Sequence, residues 1–220
     1  MIAHLLIATA AAGSAWNLPG AAPGSESPSY AVAAGPGVIV LGSGPLPSTR
    51  LSGEASWGDV TVNGSTTFYL GQSTERFDVL GVRWLVVDRP RLRVAPILSI
   101  GQHSGPSPLD WSVKTRAGVA LQAGGERVFF DASLSLLGVG VYPGATPTSL
   151  SLLGPLDTLV ASEVGANFLV RPHHWIRLGL FGVLPCLRYI HEGERLRWAT
   201  TLATLGSRAN LGQLEVGVRL

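Results

Sequence analysis

The chain has 220 residues and a mass of 23.0 kDa, which is the length of one domain or two. Only 14% of the residues are charged, and 28 glycines and 15 prolines interrupt the apolar stretches, so no run of about 20 apolar residues that could form a helical membrane span can be drawn. The formal charge of +2, without a basic run, argues against a nucleic-acid partner, and 46% hydrophobic residues argue against disorder. Cys186 is the single cysteine, so neither a disulfide framework nor a structural metal is indicated.

The N-terminus has the pattern of an export signal. Residues 1–15 contain a short apolar core followed by small residues, which predicts a signal peptide cleaved after Ala15, although His4 stands where Lys or Arg is usual. A buried N-terminal helix is the alternative, which the prolines that follow disfavour. Residues 16–29 predict a flexible linker rich in Pro, Gly, Ser and Ala, and residues 30–220 predict a β-barrel domain.

Apolar and polar residues alternate along most of the chain from residue 30, with the period of two that places successive side chains on opposite faces of a strand. The alternation is clearest in 111–122, after which Gly124 and Gly125 indicate a tight turn into 127–142. The apolar face includes Trp84, Trp111, Val113, Val119, Phe130, Leu134, Phe168 and Leu178. We expect eight to ten antiparallel strands, many near the length of about 9 to 11 residues that crosses a bilayer at a tilt.

Three features favour a membrane barrel, with the apolar face outside, over a soluble lipocalin-like barrel or sandwich that packs this face inside. The polar face carries Gly, Ala and Ser with a few charges of both signs, which suits a narrow filled interior. The chain has a single Lys, although soluble sheets commonly protect their edges with lysine. Trp111, Tyr142 and Tyr189 lie near predicted strand ends, where an interfacial aromatic girdle would place them.

Residues 214–220 place an apolar residue at every second position up to Leu220. This segment resembles the C-terminal signature of bacterial outer-membrane β-barrel proteins, in which the last residue is usually Phe. The segment 164–180, with Arg171-Pro172-His173-His174 between two strands, similarly looks like a periplasmic hairpin. The resemblance implies a barrel in the outer membrane of a diderm bacterium, lipid contact, and recognition of the C-terminal strand by the barrel assembly machinery. It implies no activity, because one scaffold hosts many functions.

The same resemblance creates a conflict over strand direction. Barrels of this family have an even number of strands, periplasmic termini, short periplasmic turns and longer outer loops. If residues 207–210 form the last outer loop, counting back two strands at a time makes 171–174 an outer loop as well. Either one segment, such as 195–205, is misassigned, or the outer loops are unusually short.

The polar face of the predicted strands supplies the candidate site. Its members are Arg83, Arg93, Lys114, Arg116, Arg127 and Arg177, with Asp131 and Glu163 as the nearest acidic residues. We interpret this polar network as an ion-paired plug, because a barrel of eight to ten strands leaves a lumen that side chains fill. An anion-preferring constriction is the alternative.

The histidines offer weaker candidates. His103 and Ser104 lie in a predicted loop, and outer-membrane lipid hydrolases resemble one another in having His and Ser two apart on a strand, so this adjacent pair departs from their pattern. His173 and His174 lack a third metal ligand at a suitable spacing, and His191 lies in a predicted charged loop without a nucleophile nearby. We predict no catalytic residue, no metal and no cofactor.

The sequence therefore predicts an all-β protein, an antiparallel up-and-down transmembrane β-barrel of eight to ten strands. Its predicted role is non-enzymatic and structural, or the presentation of surface loops such as 101–110, 143–160 and 188–194. The alternatives are a small anion-preferring channel, a membrane lipid hydrolase using His103 or His191, and a soluble secreted ligand-binding barrel. The oligomeric state and any ligand stay open at this point.

Overall fold

The computed structural model describes residues 29–41, 44–70, 74–105, 111–143, 149–204 and 209–219. These residues form antiparallel strands and one short helix. The strands are β1 (Ser29–Leu41), β2 (Gly44–Trp57), β3 (Val60–Leu70), β4 (Thr74–Trp84), β5 (Val87–Arg89), β6 (Leu92–Ser104), β7 (Trp111–Gly124), β8 (Val128–Tyr142), β9 (Ser149–Leu152), β10 (Glu163–Arg171), β11 (His174–Phe181), β12 (Leu184–Glu192), β13 (Leu196–Thr204) and β14 (Ala209–Arg219), and the helix is α1 (Pro155–Val160).

Twelve of the strands close into a barrel in chain order, so the antiparallel all-β barrel is confirmed. Closure occurs between β1 and β14, whose pairing runs from Ala31 opposite Arg219 to Leu41 opposite Ala209. The two short strands, β5 and β9, are not counted among the twelve, because β5 pairs with β6 alone and β9 pairs with β8 alone. The predicted number of eight to ten strands is wrong.

Two-residue turns explain the larger number of strands. Gly58 and Asp59 divide the predicted segment 50–62 between β2 and β3, and Gly182 and Val183 lead into β12, where the sequence predicted no strand. Gly58 has a φ of 54° and Gly182 a φ of 59°, in the left-handed region that glycine adopts without strain. Because such turns interrupt the apolar alternation by only two residues, the pattern alone does not mark them.

The barrel has a near end, which holds Ser29 and Arg219, and a far end. Most near-end connections are two or three residues long: 58–59, 125–127, 172–173 and 193–195. The longest far-end connection, residues 143–162, contains β9 and α1. The turn at 182–183 leads into β12, the one strand that the sequence did not predict between 180 and 195. This single added strand places the turn 172–173 at the near end, so the conflict over strand direction disappears.

Two of the predicted loops are partly strand in the structure. Residues 101–104 belong to β6, and 188–192 belong to β12, so neither is the presented loop that the sequence predicted. The alternation simply continues through both segments. The predicted signal peptide, the predicted linker up to residue 28 and Leu220 lie outside the described residues.

Side chains alternate between the outside of the barrel and its lumen. Large apolar residues form an exposed outer band that includes Trp57, Leu80, Trp84, Leu98, Phe130, Leu178 and Leu202. The buried polar residues include Arg50, Asn63, Thr67, Glu163, Arg177, Arg188 and Glu215. This arrangement inverts that of a soluble protein and suits a closed sheet surrounded by lipid. Within the described ranges, the structure contains no helix long and apolar enough to span a membrane.

Candidate functional site

The first group of lumen charges is centred on Glu215. Arg188 on β12 donates a hydrogen bond from Nη2 to Oε2 of Glu215 at 2.8 Å, and Nε of Arg50 on β2 lies 3.4 Å from Oε1. All three side chains are buried, and only 1% of Arg50 is exposed. Charges withdrawn from water in this way are tolerated only when they are paired, so the three residues depend on one another.

Arg177 forms the centre of a second group. Its Nε lies 3.2 Å from both carboxylate oxygens of Asp131, and its Nη2 lies 3.4 Å from Oε2 of Glu163. Asn167 donates a hydrogen bond from Nδ2 to Asp131 at 2.8 Å, which holds that carboxylate in place. Only 2% of Arg177 is exposed.

The two groups face one another across a small cavity. Glu163, Arg177 and Arg188 all line it, together with Phe181, Cys186, Thr201, Leu211 and Gln213. The groups contain three arginines and three carboxylates, Arg50, Arg177 and Arg188 against Asp131, Glu163 and Glu215, so their formal charges cancel. A balanced and buried network stabilises a closed interior and presents no excess charge of either sign to a solute.

An apolar layer lines the lumen on β1 to β4 and β11 to β14 toward the far end, beyond the two charged groups. Its members are Ile39, Tyr69, Phe77, Phe181, Leu184, Cys186, Ala203 and Leu211, with Leu46 packed against them. The rings of Tyr69 and Phe77 meet edge to face with 5.7 Å between centroids, and His103 stacks on Phe77 at 4.4 Å. Lumen positions of these strands near the far end therefore carry mainly apolar side chains.

The structure brings three of the eight predicted lumen residues together and places the other five elsewhere. Asp131, Glu163 and Arg177 come together in the second charged group. Arg83 lies inside the barrel near the other end, where its Nη2 is 3.5 Å from the hydroxyl of Thr61.

The remaining four predicted lumen residues have other surroundings. Lys114 bonds to Asp157 of α1 at 2.9 Å, and Arg116 lies one lumen position further along β7. Arg93 pairs with Asp88 at 2.9 Å, and both side chains are partly exposed. Arg127 is exposed in the turn before β8, which starts at Val128, one residue later than the sequence predicted.

The eight predicted lipid-facing residues lie on the outer face of their strands. Trp84, Phe130, Phe168 and Leu178 are exposed, whereas Trp111, Val113, Val119 and Leu134 are half-buried among neighbouring outer side chains. Aromatic side chains also gather outside the near end, where His174, Tyr189, His191 and Trp198 contact one another.

Sequence reasoning missed the first charged group. Glu215 stood on the polar face of the predicted last strand, but Arg188 fell in a presumed loop and Arg50 in a weakly patterned segment. The signal that could have linked them is barrel closure, since β14 and β2 both pair with β1. Their lumen side chains can therefore meet across a single strand.

The structure separates the histidines from potential nucleophiles. His103 and Ser104 are successive residues of β6 and point to opposite faces: His103 stacks on Phe77 in the lumen, with Nε2 3.6 Å from Glu75, whereas Ser104 contacts Gln102. Among the residues that the structure describes, no cluster of His, Cys, Asp and Glu could hold a metal ion.

No protein-family model and no curated protein matches the chain. In structure it is similar to a KdgM porin in complex with disordered oligogalacturonate, at 8% sequence identity and a TM-score of 0.56, over 86% of this chain and 98% of the porin. It is also similar to an outer membrane channel from Pseudomonas putida F1, at 9% identity and a TM-score of 0.52, over 93% of this chain and 100% of the channel. A weaker likeness, with a TM-score of 0.45 and 10% identity, covers 90% of this chain and 98% of the outer membrane phospholipase A from Escherichia coli. The chain thus has the fold of bacterial outer-membrane β-barrels, as its sequence resemblance implied.

Proposed function

We propose that the protein is a non-enzymatic β-barrel of the outer membrane of a diderm bacterium, with a lumen occluded by paired charges. Its outer apolar band contacts membrane lipid, and the barrel assembly machinery recognises its C-terminal strand during insertion. The role is structural, or consists of presenting the far-end connections, such as 105–110 and 143–162, to the surroundings.

The near-complete burial of Arg50 and Arg177 carries this proposal. A guanidinium that lines a water-filled pore is exposed to that water, whereas these two side chains are 1% and 2% exposed. Each is also held by carboxylates from other strands. The apolar layer beyond them supports the same conclusion, because it gives water and ions no polar surface to follow.

A narrow channel is the second candidate, and the lining of β6, β7 and β8 favours it. Small residues occupy the lumen positions there: Ser99, Gly101, Gly118, Ser133, Ser135, Gly138 and Gly140. The fold shared with a porin and an outer membrane channel adds to this candidate. Lipid hydrolysis has less support, because His103 and Ser104 point to opposite faces of β6.

Conductance across planar lipid bilayers tests the proposal. Protein refolded from the full chain, with folding verified by heat-modifiable gel mobility, is expected to insert without producing stepwise currents. Reproducible current steps would contradict the occluded lumen and favour the channel, and their reversal potential in a salt gradient would then show whether anions are preferred. Recovery of the protein in the aqueous fraction of cells without detergent would contradict the membrane location.

A further inference from the structure

The barrel wall is interrupted beside β8. This strand pairs with β10 through residues 128–133 and with β9 through 139–142, and the segment 153–162, which contains α1, lies between the two. Two described hydrogen bonds tie that segment to β8: Leu153 N–H donates to Gly138 O at 2.8 Å, and Ser135 N–H donates to Ser162 Oγ at 3.0 Å. The strand ladder is therefore replaced by looser contacts at this one position.

Exposed leucines surround the interruption. Between 48% and 82% of each side chain is exposed, and the residues are Leu136, Leu137, Leu152, Leu156 and Leu159. A register shift between β7 and β8 brings both Leu136 and Leu137 to the outside. Hydrocarbon chains of the membrane can therefore approach the wall at the point where strand pairing is weakest.

A cavity lies behind this part of the wall. Arg116, Ser99, Ser133 and Ser135 give it polar atoms, and its apolar lining includes Val79, Ile97 and Ala161. Arg116 Nε and Ser135 Oγ are both buried, and within the described part of the chain neither atom has a hydrogen-bond partner. Buried polar atoms are nearly always paired in proteins, so two such atoms lining one cavity point to a polar ligand group.

Among the described residues that line the cavity, Arg116 is the charged one, which favours a negatively charged ligand group. Lys114 and Arg116 supply two positive charges, and Asp157, whose Oδ1 lies 2.9 Å from Lys114 Nζ, supplies one negative charge. A guanidinium fork matches a carboxylate geometrically, and Lys114 is already bound to Asp157, so Arg116 is the residue left to bind an incoming anion.

We propose that this cavity binds the carboxylate of a single-chain alkyl carboxylate, with the head group on Arg116 and the chain directed through the interrupted wall toward the leucines. The proposal rests on the membrane location, because such amphiphiles partition into the bilayer. It adds a ligand to a barrel whose lumen is occluded by paired charges, and it involves no transport step.

Equilibrium dialysis of radiolabelled decanoate tests the site. The folded full chain in a nonionic detergent is compared with protein-free micelles of that detergent, and one saturable decanoate site per chain is expected. Arg116→Gln should weaken binding by about tenfold or more, since it removes a charge-assisted hydrogen bond. Arg127→Gln, a matched change in an exposed turn, should leave binding unchanged.

Two further measurements, of acetate binding and of an Ala161→Phe variant, distinguish an amphiphilic ligand from a water-soluble one and test the cavity itself. Acetate should bind at least about a hundredfold more weakly than decanoate, because it lacks the apolar chain. Equal affinity for acetate and decanoate would overturn the proposal that the ligand is an amphiphile and would indicate a water-soluble carboxylate instead. Ala161→Phe should abolish binding by filling the cavity while leaving Arg116 in place.

Heat-modifiable mobility of each variant shows that it is folded, so loss of binding in a folded barrel is attributable to the cavity. Unchanged binding in both Arg116→Gln and Ala161→Phe would overturn the site. A wild-type chain that shows heat-modifiable mobility but binds no more decanoate than the micelles would overturn this proposal and leave the outer-membrane location standing. A wild-type chain that needs no detergent to stay in solution would overturn the location itself.

Discussion

Arg50 on β2 and Glu215 on β14 meet across β1, with 3.4 Å between Arg50 Nε and Glu215 Oε1. Gly35 of β1 lies directly opposite Arg50 in the strand pairing and has no side chain to separate the two groups. A Cβ atom at Gly35 would lie 2.9 Å from the Cα of Glu215. The ion pair therefore bridges the closure of the barrel, linking a strand near the start of the described chain to its last strand.

Removing the shared carboxylate should destabilise the barrel. Glu215→Gln removes the carboxylate charge that both Arg50 and Arg188 contact, and breaking a buried ion pair in this way typically costs about 3 kcal/mol or more. The free energy of unfolding in urea, measured on protein refolded into lipid vesicles, should fall by that amount. Glu194→Gln, in the exposed turn after β12, is the matched control and should leave it unchanged. Equal stability of the two variants would show that the pairing around Glu215 contributes little.

Adding a single methyl group at Gly35 should disturb closure between β1 and β14. The new Cβ would lie 1.7 Å from the carbonyl oxygen of Leu214, so the backbone of one strand must move. We expect Gly35→Ala to lower the free energy of unfolding by about 2 kcal/mol or more. Gly212→Ala on β14 is the control, because its Cβ would meet only ordinary contacts at 3.7 Å or beyond. A Gly35→Ala barrel as stable as the Gly212→Ala barrel would refute the close contact.

Chemical labelling of the natural cysteine, Cys186, tests whether water reaches the lumen. Cys186 is buried in the apolar layer beside the charged groups, with its Sγ 3.8 Å from Arg177 Nη1. Reaction with a water-soluble maleimide should be at least about tenfold slower in the folded barrel than in urea, because the thiol is shielded. A cysteine introduced by Glu194→Cys in a Cys186→Ser background should react rapidly in both states. Rapid labelling of native Cys186 would indicate an open, water-filled lumen.

Much of the architecture follows from the sequence alone, because a closed barrel with an apolar exterior imposes a simple rule on every strand. Phe130 and Leu178 alternate with Asp131 and Arg177, and this pattern was sufficient to predict a barrel with its apolar face outside. The same pattern identified Asp131, Glu163 and Arg177 as lumen residues, and the structure brings these three together.

The rest could not be predicted because alternation describes one strand at a time. Gly182 and Val183 form a turn too short to interrupt the pattern, so β12 and its Arg188 were missed. Partner choice across the lumen, such as Arg50 with Glu215, depends on which strands closure makes neighbours. The interruption of the wall by α1 depends on long-range register between β8, β9 and β10, which no local pattern contains.

We expect the apolar face of each strand to contact lipid and the opposite face to line a dry lumen. Spin labels at two successive residues of β13 test it directly, with Cys186→Ser as the background: Leu202→Cys, an exposed outer position, and Thr201→Cys, a buried lumen position. In refolded vesicles the label at 202 should collide frequently with oxygen dissolved in the bilayer, and the label at 201 should be shielded from both oxygen and a water-soluble nickel complex. A label at 202 that is shielded while the label at 201 is exposed to the nickel complex would contradict the account.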